Sequence, residues 1–111
     1  MATGQKATSG KVMSLAAVFR PEAQADLLRT RDWYERQRFG LGEIFSVSVE
    51  QVVNRIETMP QMYAMVFRDV RRAKLRTFPY LLYYRVLSDR IEVIALLHGS
   101  RDPKLWQERL N

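Results

Sequence analysis

Cysteine is absent from the 111 residues and histidine occurs once. The first absence excludes a disulfide framework, a thiol nucleophile and any cysteine-ligated zinc or iron–sulfur centre. The second leaves too few imidazoles for an all-protein zinc site, although carboxylates for a hard cation such as magnesium remain. No metal and no cofactor are expected. No run approaches the roughly 20 apolar residues that a membrane span requires. The first residues, Met1 to Lys6, have no apolar block behind them, so no secretory signal is expected and the cytoplasm is the default compartment. The length is too small for a two-domain dehydrogenase, a kinase or a barrel enzyme and suits one domain. With 47% hydrophobic and 27% charged residues, that domain should be globular.

Charge is present and unevenly placed. Lysine and arginine number 18 against 12 acidic residues, a formal net charge of +6. Nearly all of the excess lies from Arg68 onward. Its densest run is Arg68-Asp69-Val70-Arg71-Arg72-Ala73-Lys74-Leu75-Arg76. Local basicity of this kind suits phosphate, nucleic acid or an acidic protein partner. The alternative is a solvated strand face kept basic to prevent edge pairing. Arginine outnumbers lysine here, and a guanidinium fork makes bidentate contacts to phosphate or carboxylate.

Residues 1–13 are small and polar without periodicity and read as a disordered leader, with Met13 a candidate start and the folded domain spanning 14–111. Ser14 to Arg20 forms a short apolar run, a first strand. Pro21 then takes the favoured first position of a helix, with Glu22 and Asp26 near its positive end. Ala23, Leu27 and Tyr34 fall on one face, widened by Leu28, and Gly40 and Gly42 end the helix. A second helix is expected from about Glu43 to Thr58, with a seam of Phe45, Val49, Val52, Ile56 and Met59, stopped by Pro60. The short link between them implies a helical hairpin.

After Pro60 the period changes to two. Val70 to Phe78 places Arg72, Lys74 and Arg76 on one face and Ala73 and Leu75 on the other. Phe78-Pro79-Tyr80 turns the chain into a strand over Tyr80 to Leu87. Ser88-Asp89-Arg90 is a hairpin signal, and Ile91 to Leu97, apolar on both faces, is a strand buried within a sheet. Asp102 then stands as an N-cap before Pro103, opening a short helix with Leu105, Trp106 and Leu110. The fold class is α+β, two-layered: a helix hairpin packed on a mostly antiparallel four-stranded sheet, in the order β-α-α-β-β-β-α.

Two stretches carry a resemblance. One is Val70-Arg71-Arg72 through Leu75-Arg76-Thr77-Phe78-Pro79-Tyr80 to Val86. The other, more specific, is Ile91 through His98-Gly99-Ser100-Arg101-Asp102-Pro103 to Trp106. Together they resemble the RelE/ParE toxin superfamily of type II toxin–antitoxin systems, and its plasmid-stabilisation, ParE-like branch in particular, over about residues 16–110. The resemblance implies a small toxin neutralised by a cognate antitoxin protein. ParE-like members inhibit DNA gyrase and are not known as nucleases; RelE-like members cleave messenger RNA on the ribosome. The fold alone does not choose between them.

Cleavage of RNA needs a group to take the 2′-OH proton, one to protonate the leaving oxygen, and cations on the phosphate. By resemblance, Arg101 sits where RelE-type nucleases carry a strand-end arginine, and Lys74 and Arg76 resemble their paired cations. Leu81 replaces the arginine after their aromatic turn, and Trp106 and Gln107 stand near the place of their C-terminal tyrosine. His98 is the remaining acid–base candidate, against its reading as a structural histidine bonded to backbone. Arg101 has an alternative of its own, an ion pair with Asp102 or Glu108.

Arg71, Arg72, Lys74 and Arg76 are thus the candidate target- or phosphate-binding cations. Tyr80, Tyr83 and Tyr84 are candidates for antitoxin contact or core packing, with base stacking as the alternative. Trp33 and Trp106 read as packing. Glu43, Glu50 and Glu57 recur every seven residues as a solvated helix stripe rather than a metal site. The balance favours gyrase inhibition by protein–protein contact, with the ribosome and mRNA as the alternative target. An acidic, amphipathic antitoxin segment would meet the basic strand.

Overall fold

The computed structural model describes residues 15–110; the expected leader over residues 1–13 lies outside them. The order is β1 (Ala17–Phe19), α1 (Pro21–Gln37), α2 (Leu41–Thr58), β2 (Met65–Phe67), β3 (Val70–Lys74), β4 (Tyr80–Val86), β5 (Ile91–His98) and α3 (Lys104–Gln107), ending in a 3-10 turn over Glu108–Leu110. The sheet runs β1-β5-β4-β3-β2, with β1 parallel to β5 and every other pair antiparallel. No helix among the described residues is long and apolar enough to cross a membrane.

The sheet therefore has five strands where the sequence suggests four. The added strand, β2, pairs with β3 through a two-residue turn at Arg68 and Asp69, with Arg68 at φ 53°. Arginine carries no turn signal, and three residues are too few to show alternation, so periodicity misses both. The Arg68 guanidinium lies 5.0 Å from the Phe67 ring centroid, and Asp69 pairs with Arg85 at 2.8 Å; together they hold the turn. The strand expected over Val70 to Phe78 stops at Lys74, leaving Arg76 in the turn before Tyr80.

The helix hairpin is built around Glu35, Gly40 and Gly42. Gly40 adopts φ +87°, a conformation that costs a side-chain-bearing residue energy. Gly42 lies inside α2 rather than ending α1. A Cβ there would sit 2.9 Å from the Arg31 carbonyl oxygen, so only glycine lets the two helices approach this closely. The Glu35 carboxylate accepts hydrogen bonds from the Gly40 and Gly42 N–H groups at the start of α2. Those bonds, Gly40's foremost, lower its pKa.

Two cores flank the sheet. Phe45, Val49, Val52 and Ile56 of α2 pack with Leu82, Tyr84, Val93 and Leu96 on the helix side. Val70, Tyr83, Ile94, Ala95 and Leu97 pack with Trp106 on the other. Both Ile94 and Ala95 reach this second core because the β4–β5 register shifts at Tyr83/Tyr84, which oppose Ala95 and Val93 and leave Ile94 as an extra residue. In α1 the buried face is Ala23, Asp26 and Thr30, with Leu27 and Tyr34 beside it, while Leu28 is exposed. Met59, at the end of the α2 seam, is also exposed.

Candidate functional site

The sheet separates the cations that the sequence groups together. Tyr80 pairs with His98, and Leu81 pairs with both Leu97 and Lys74. Alternation across the pleat puts Tyr80 and His98 on the helix side and Lys74, with Leu81 and Leu97, on the other. Arg72 shares the Lys74 face and lies opposite Tyr83. Arg71 points the other way: its Nη1 donates to the carbonyls of Tyr63 at 2.6 Å and Gln61 at 3.2 Å, tying down the chain before β2. Lys74 Nζ donates to the Leu75 carbonyl at 3.3 Å. Arg72 and Arg76 are exposed.

The three tyrosines also divide. Tyr84 is fully buried and donates its hydroxyl to the Pro60 carbonyl at 2.6 Å, and burial pushes its pKa up to about 12. Tyr83 is buried and stacks on Trp106 at 4.4 Å between ring centroids; burial raises its pKa, opposed by the nearby Arg72 charge. Neither offers an antitoxin or a base a free ring, because each fills a core on its own side of the sheet. Tyr80 alone of the three keeps exposed surface.

His98 and Arg101 line one cleft of about 350 Å³ between α1 and the end of β5. Arg29, Trp33, Tyr34 and Tyr80 complete its principal walls. The Ser100 N–H donates to His98 Nδ1 at 3.0 Å, and Ser100 Oγ lies 2.8 Å from the same nitrogen. An accepting Nδ1 puts the proton of a neutral ring on Nε2. His98 thereby closes its own turn, and the Arg101 N–H bonds back to the His98 carbonyl at 3.0 Å. The Arg101 guanidinium has no carboxylate within ion-pair distance among the described residues; the alternative reading, a pair with Asp102 or Glu108, does not form. Asp102 instead accepts from the Lys104 N–H at 3.0 Å, as a cap for α3.

Beneath this cleft lies a network that periodicity misses. Asp26, 1% exposed, accepts from Arg109 Nη1 at 2.7 Å, Arg29 Nη2 at 2.8 Å and the Leu96 N–H at 3.0 Å. Arg109 also donates to the Ile94 carbonyl. β1 ends opposite Val93, so the edge of β5 beyond it is satisfied by these side chains instead of a strand. The available signal was a carboxylate at helical spacing between Ala23 and Thr30, a polar group on a buried stripe. Glu57, expected to be solvated, accepts from the Ala17 N–H at 2.8 Å and joins α2 to β1. Among the described residues no three acidic or histidine side chains converge as metal ligands.

The family model described as "ParE toxin of type II toxin-antitoxin system, parDE" matches residues 17–103. Toxin ParE2 of Mycobacterium tuberculosis is 30% identical over 71 residues, covering 64% of this chain and 68% of that protein. Among solved structures, one of the chromosomal ParDE toxin–antitoxin system from P. aeruginosa superposes with a TM-score of 0.57 at 18% identity, over 78% of this chain and 97% of that one. A mutant of the E. coli toxin RelE in the free state superposes with a TM-score of 0.58 at 16% identity, over 88% and 96%. These structural likenesses carry the fold.

Proposed function

This chain belongs to the ParE toxin family of type II toxin–antitoxin systems, and on that premise we propose that it acts in the cytoplasm by binding DNA gyrase through protein–protein contact and is neutralised by a cognate antitoxin. The supporting observation is the opposite placement of His98 and Lys74 on the sheet. A ribonuclease needs its proton-transfer group beside the cations that hold the scissile phosphate. On the Arg72–Lys74 face the neighbouring positions are Leu81 and the buried pair Tyr83 and Trp106. That face offers charge for docking, with the exposed apolar Met65 and Val66 on the adjoining edge strand. An acidic antitoxin segment fits the same charge.

A second reading, ribosome-dependent mRNA cleavage, is favoured by one observation: His98 and Arg101 line a single cleft. Pulse labels for DNA and protein synthesis, followed in one bacterial culture after induction, separate the two. The expected result is that DNA synthesis falls first while protein synthesis continues, and that the purified chain blocks supercoiling by gyrase. Collapse of protein synthesis within minutes, with supercoiling unaffected, would replace the first reading by the second. Co-expression of the adjacent gene product should restore growth and copurify with the chain.

A further inference from the structure

We propose that the cleft between α1 and the end of β5 is a binding site for a nucleoside monophosphate, with Arg101 on the phosphate and Trp33 against the base. The inference goes beyond the proposed function, since binding here requires neither gyrase nor a ribosome. Its first support is charge. Arg101 has no acidic partner among the described residues, and no Asp or Glu lines the cleft. Arg29, also on the wall, shares the single Asp26 carboxylate with Arg109, so this trio retains one positive charge. An unpaired guanidinium in a concave site is a receptor for phosphate, which it meets with charge-assisted, bidentate hydrogen bonds.

The second support is the aromatic lining. Trp33 is 49% exposed although it is the largest side chain on α1, and it meets Tyr34 edge-on at 5.1 Å. Tyr80 stands edge-on to both Tyr34 and His98, at 6.1 and 5.3 Å. An exposed indole on the wall of a cleft that two phenols also line offers a stacking surface for a flat heterocycle. The Tyr34 phenol is a hydrogen-bond donor at neutral pH, as any phenol is, and burial, and after it the neighbouring Tyr80, raise its pKa further. His98 presents an Nε2–H donor because Ser100 occupies Nδ1.

The third support is size. A volume of about 350 Å³ lies at the small end of ligand clefts and suits one nucleotide rather than a strand. One free guanidinium likewise matches one phosphate.

The test is a titration of the purified full chain with AMP, read by calorimetry and by tryptophan fluorescence, with Trp33→Leu separating the Trp33 signal from that of Trp106. Adenosine, inorganic phosphate and a 5′-phosphorylated trinucleotide serve as parallel probes. AMP should bind saturably and quench the fluorescence, with adenosine binding at least about tenfold more weakly for want of a charged hydrogen-bond partner. Arg101→Ala should lose a similar factor for AMP, while Arg76→Ala, an exposed cation outside the cleft, should lose none. Trp33→Leu should weaken AMP and leave phosphate unchanged. Binding of AMP at least as tight as the trinucleotide supports a site for a single nucleotide, and tighter binding by the trinucleotide would overturn it in favour of a strand end. Absence of saturable heat up to about 5 mM AMP, weaker than the millimolar range of the feeblest specific sites, would overturn the proposal. So would equal affinity for adenosine, full competition by acetate at the same concentration, or indifference to Arg101→Ala in a variant with unchanged circular dichroism.

Discussion

Arg109 Nη1 lies 2.7 Å from Asp26 Oδ2, a contact that joins residues 83 positions apart and ties the C-terminal turn to the first helix. The carboxylate is 1% exposed and also holds the Leu96 N–H of the sheet. It completes the edge of β5 where β1 has ended and anchors the segment that carries Trp106 onto the second core.

Asp26→Ala should therefore destabilise the domain by about 3–5 kcal/mol, the range for removing one partner of a buried charge pair. Arg109→Ala should cost a comparable amount, because it leaves the buried carboxylate with the Leu96 N–H and, as counter-charge, the more exposed Arg29. The double variant should lose less than the sum of the two. Denaturant titration of all four proteins measures this, and simple additivity would show that the pair is not coupled.

Alkaline titration should weaken the fold through Tyr84. Its phenol has an ordinary pKa of 10.0 and one of about 12 in the folded chain. The unfolded state then loses the proton first, so stability that is full below pH 10 falls as the pH rises toward 12. Tyr84→Phe should remove about 1 kcal/mol at neutral pH, through the lost bond to the Pro60 carbonyl. It should also flatten the decline between pH 10 and 12. A decline of unchanged slope in this variant would assign the alkaline loss to other groups.

The hairpin should respond to acid in the opposite sense. Hydrogen bonds from Gly40 and Gly42 lower the Glu35 pKa below 4.5. Its contribution is present above that value and is lost as the pH falls through the lower folded one. Glu35→Gln should reduce the acid sensitivity, read as the slope of stability against pH below 4.5. Gly42→Ala should destabilise at every pH, by about 1–3 kcal/mol, because its methyl group meets the Arg31 carbonyl.

His98→Ala should leave growth arrest intact at matched expression while loosening the turn over residues 98–101, at a cost of about 1 kcal/mol from the lost Ser100 bond. A folded variant that no longer arrests growth would move His98 from turn closure to the chemistry of the target reaction.

Much of this molecule follows from local pattern. Pro21 starts α1, the seam from Phe45 to Ile56 shapes α2, and the apolar run of Ile91 to Leu97 marks the strand buried on both sides. Helix and strand periods, prolines and turn residues act over a few positions, so they are visible in the chain itself and yield the α+β class and most of the element order. The second stretch of the family resemblance carries His98-Gly99-Ser100-Arg101-Asp102-Pro103 at the strand end where two of the cleft's groups emerge.

The tertiary structure decided what depends on register and on partners distant in sequence. The short strand β2 exists because β3 offers it an edge, not because three residues prefer extension. Arg71 and Lys74 diverge because the pleat sends them to opposite faces, and the buried sides of Tyr83 and Tyr84 differ for the same reason. The extra residue at Ile94 resets which side chains of β5 face each core. Asp26 reads as a helix-end charge until Leu96 and Arg109 meet it in space. Such pairings form only when the sheet closes and the helices dock, since burial and the desolvation of charge are properties of the assembled fold rather than of any segment.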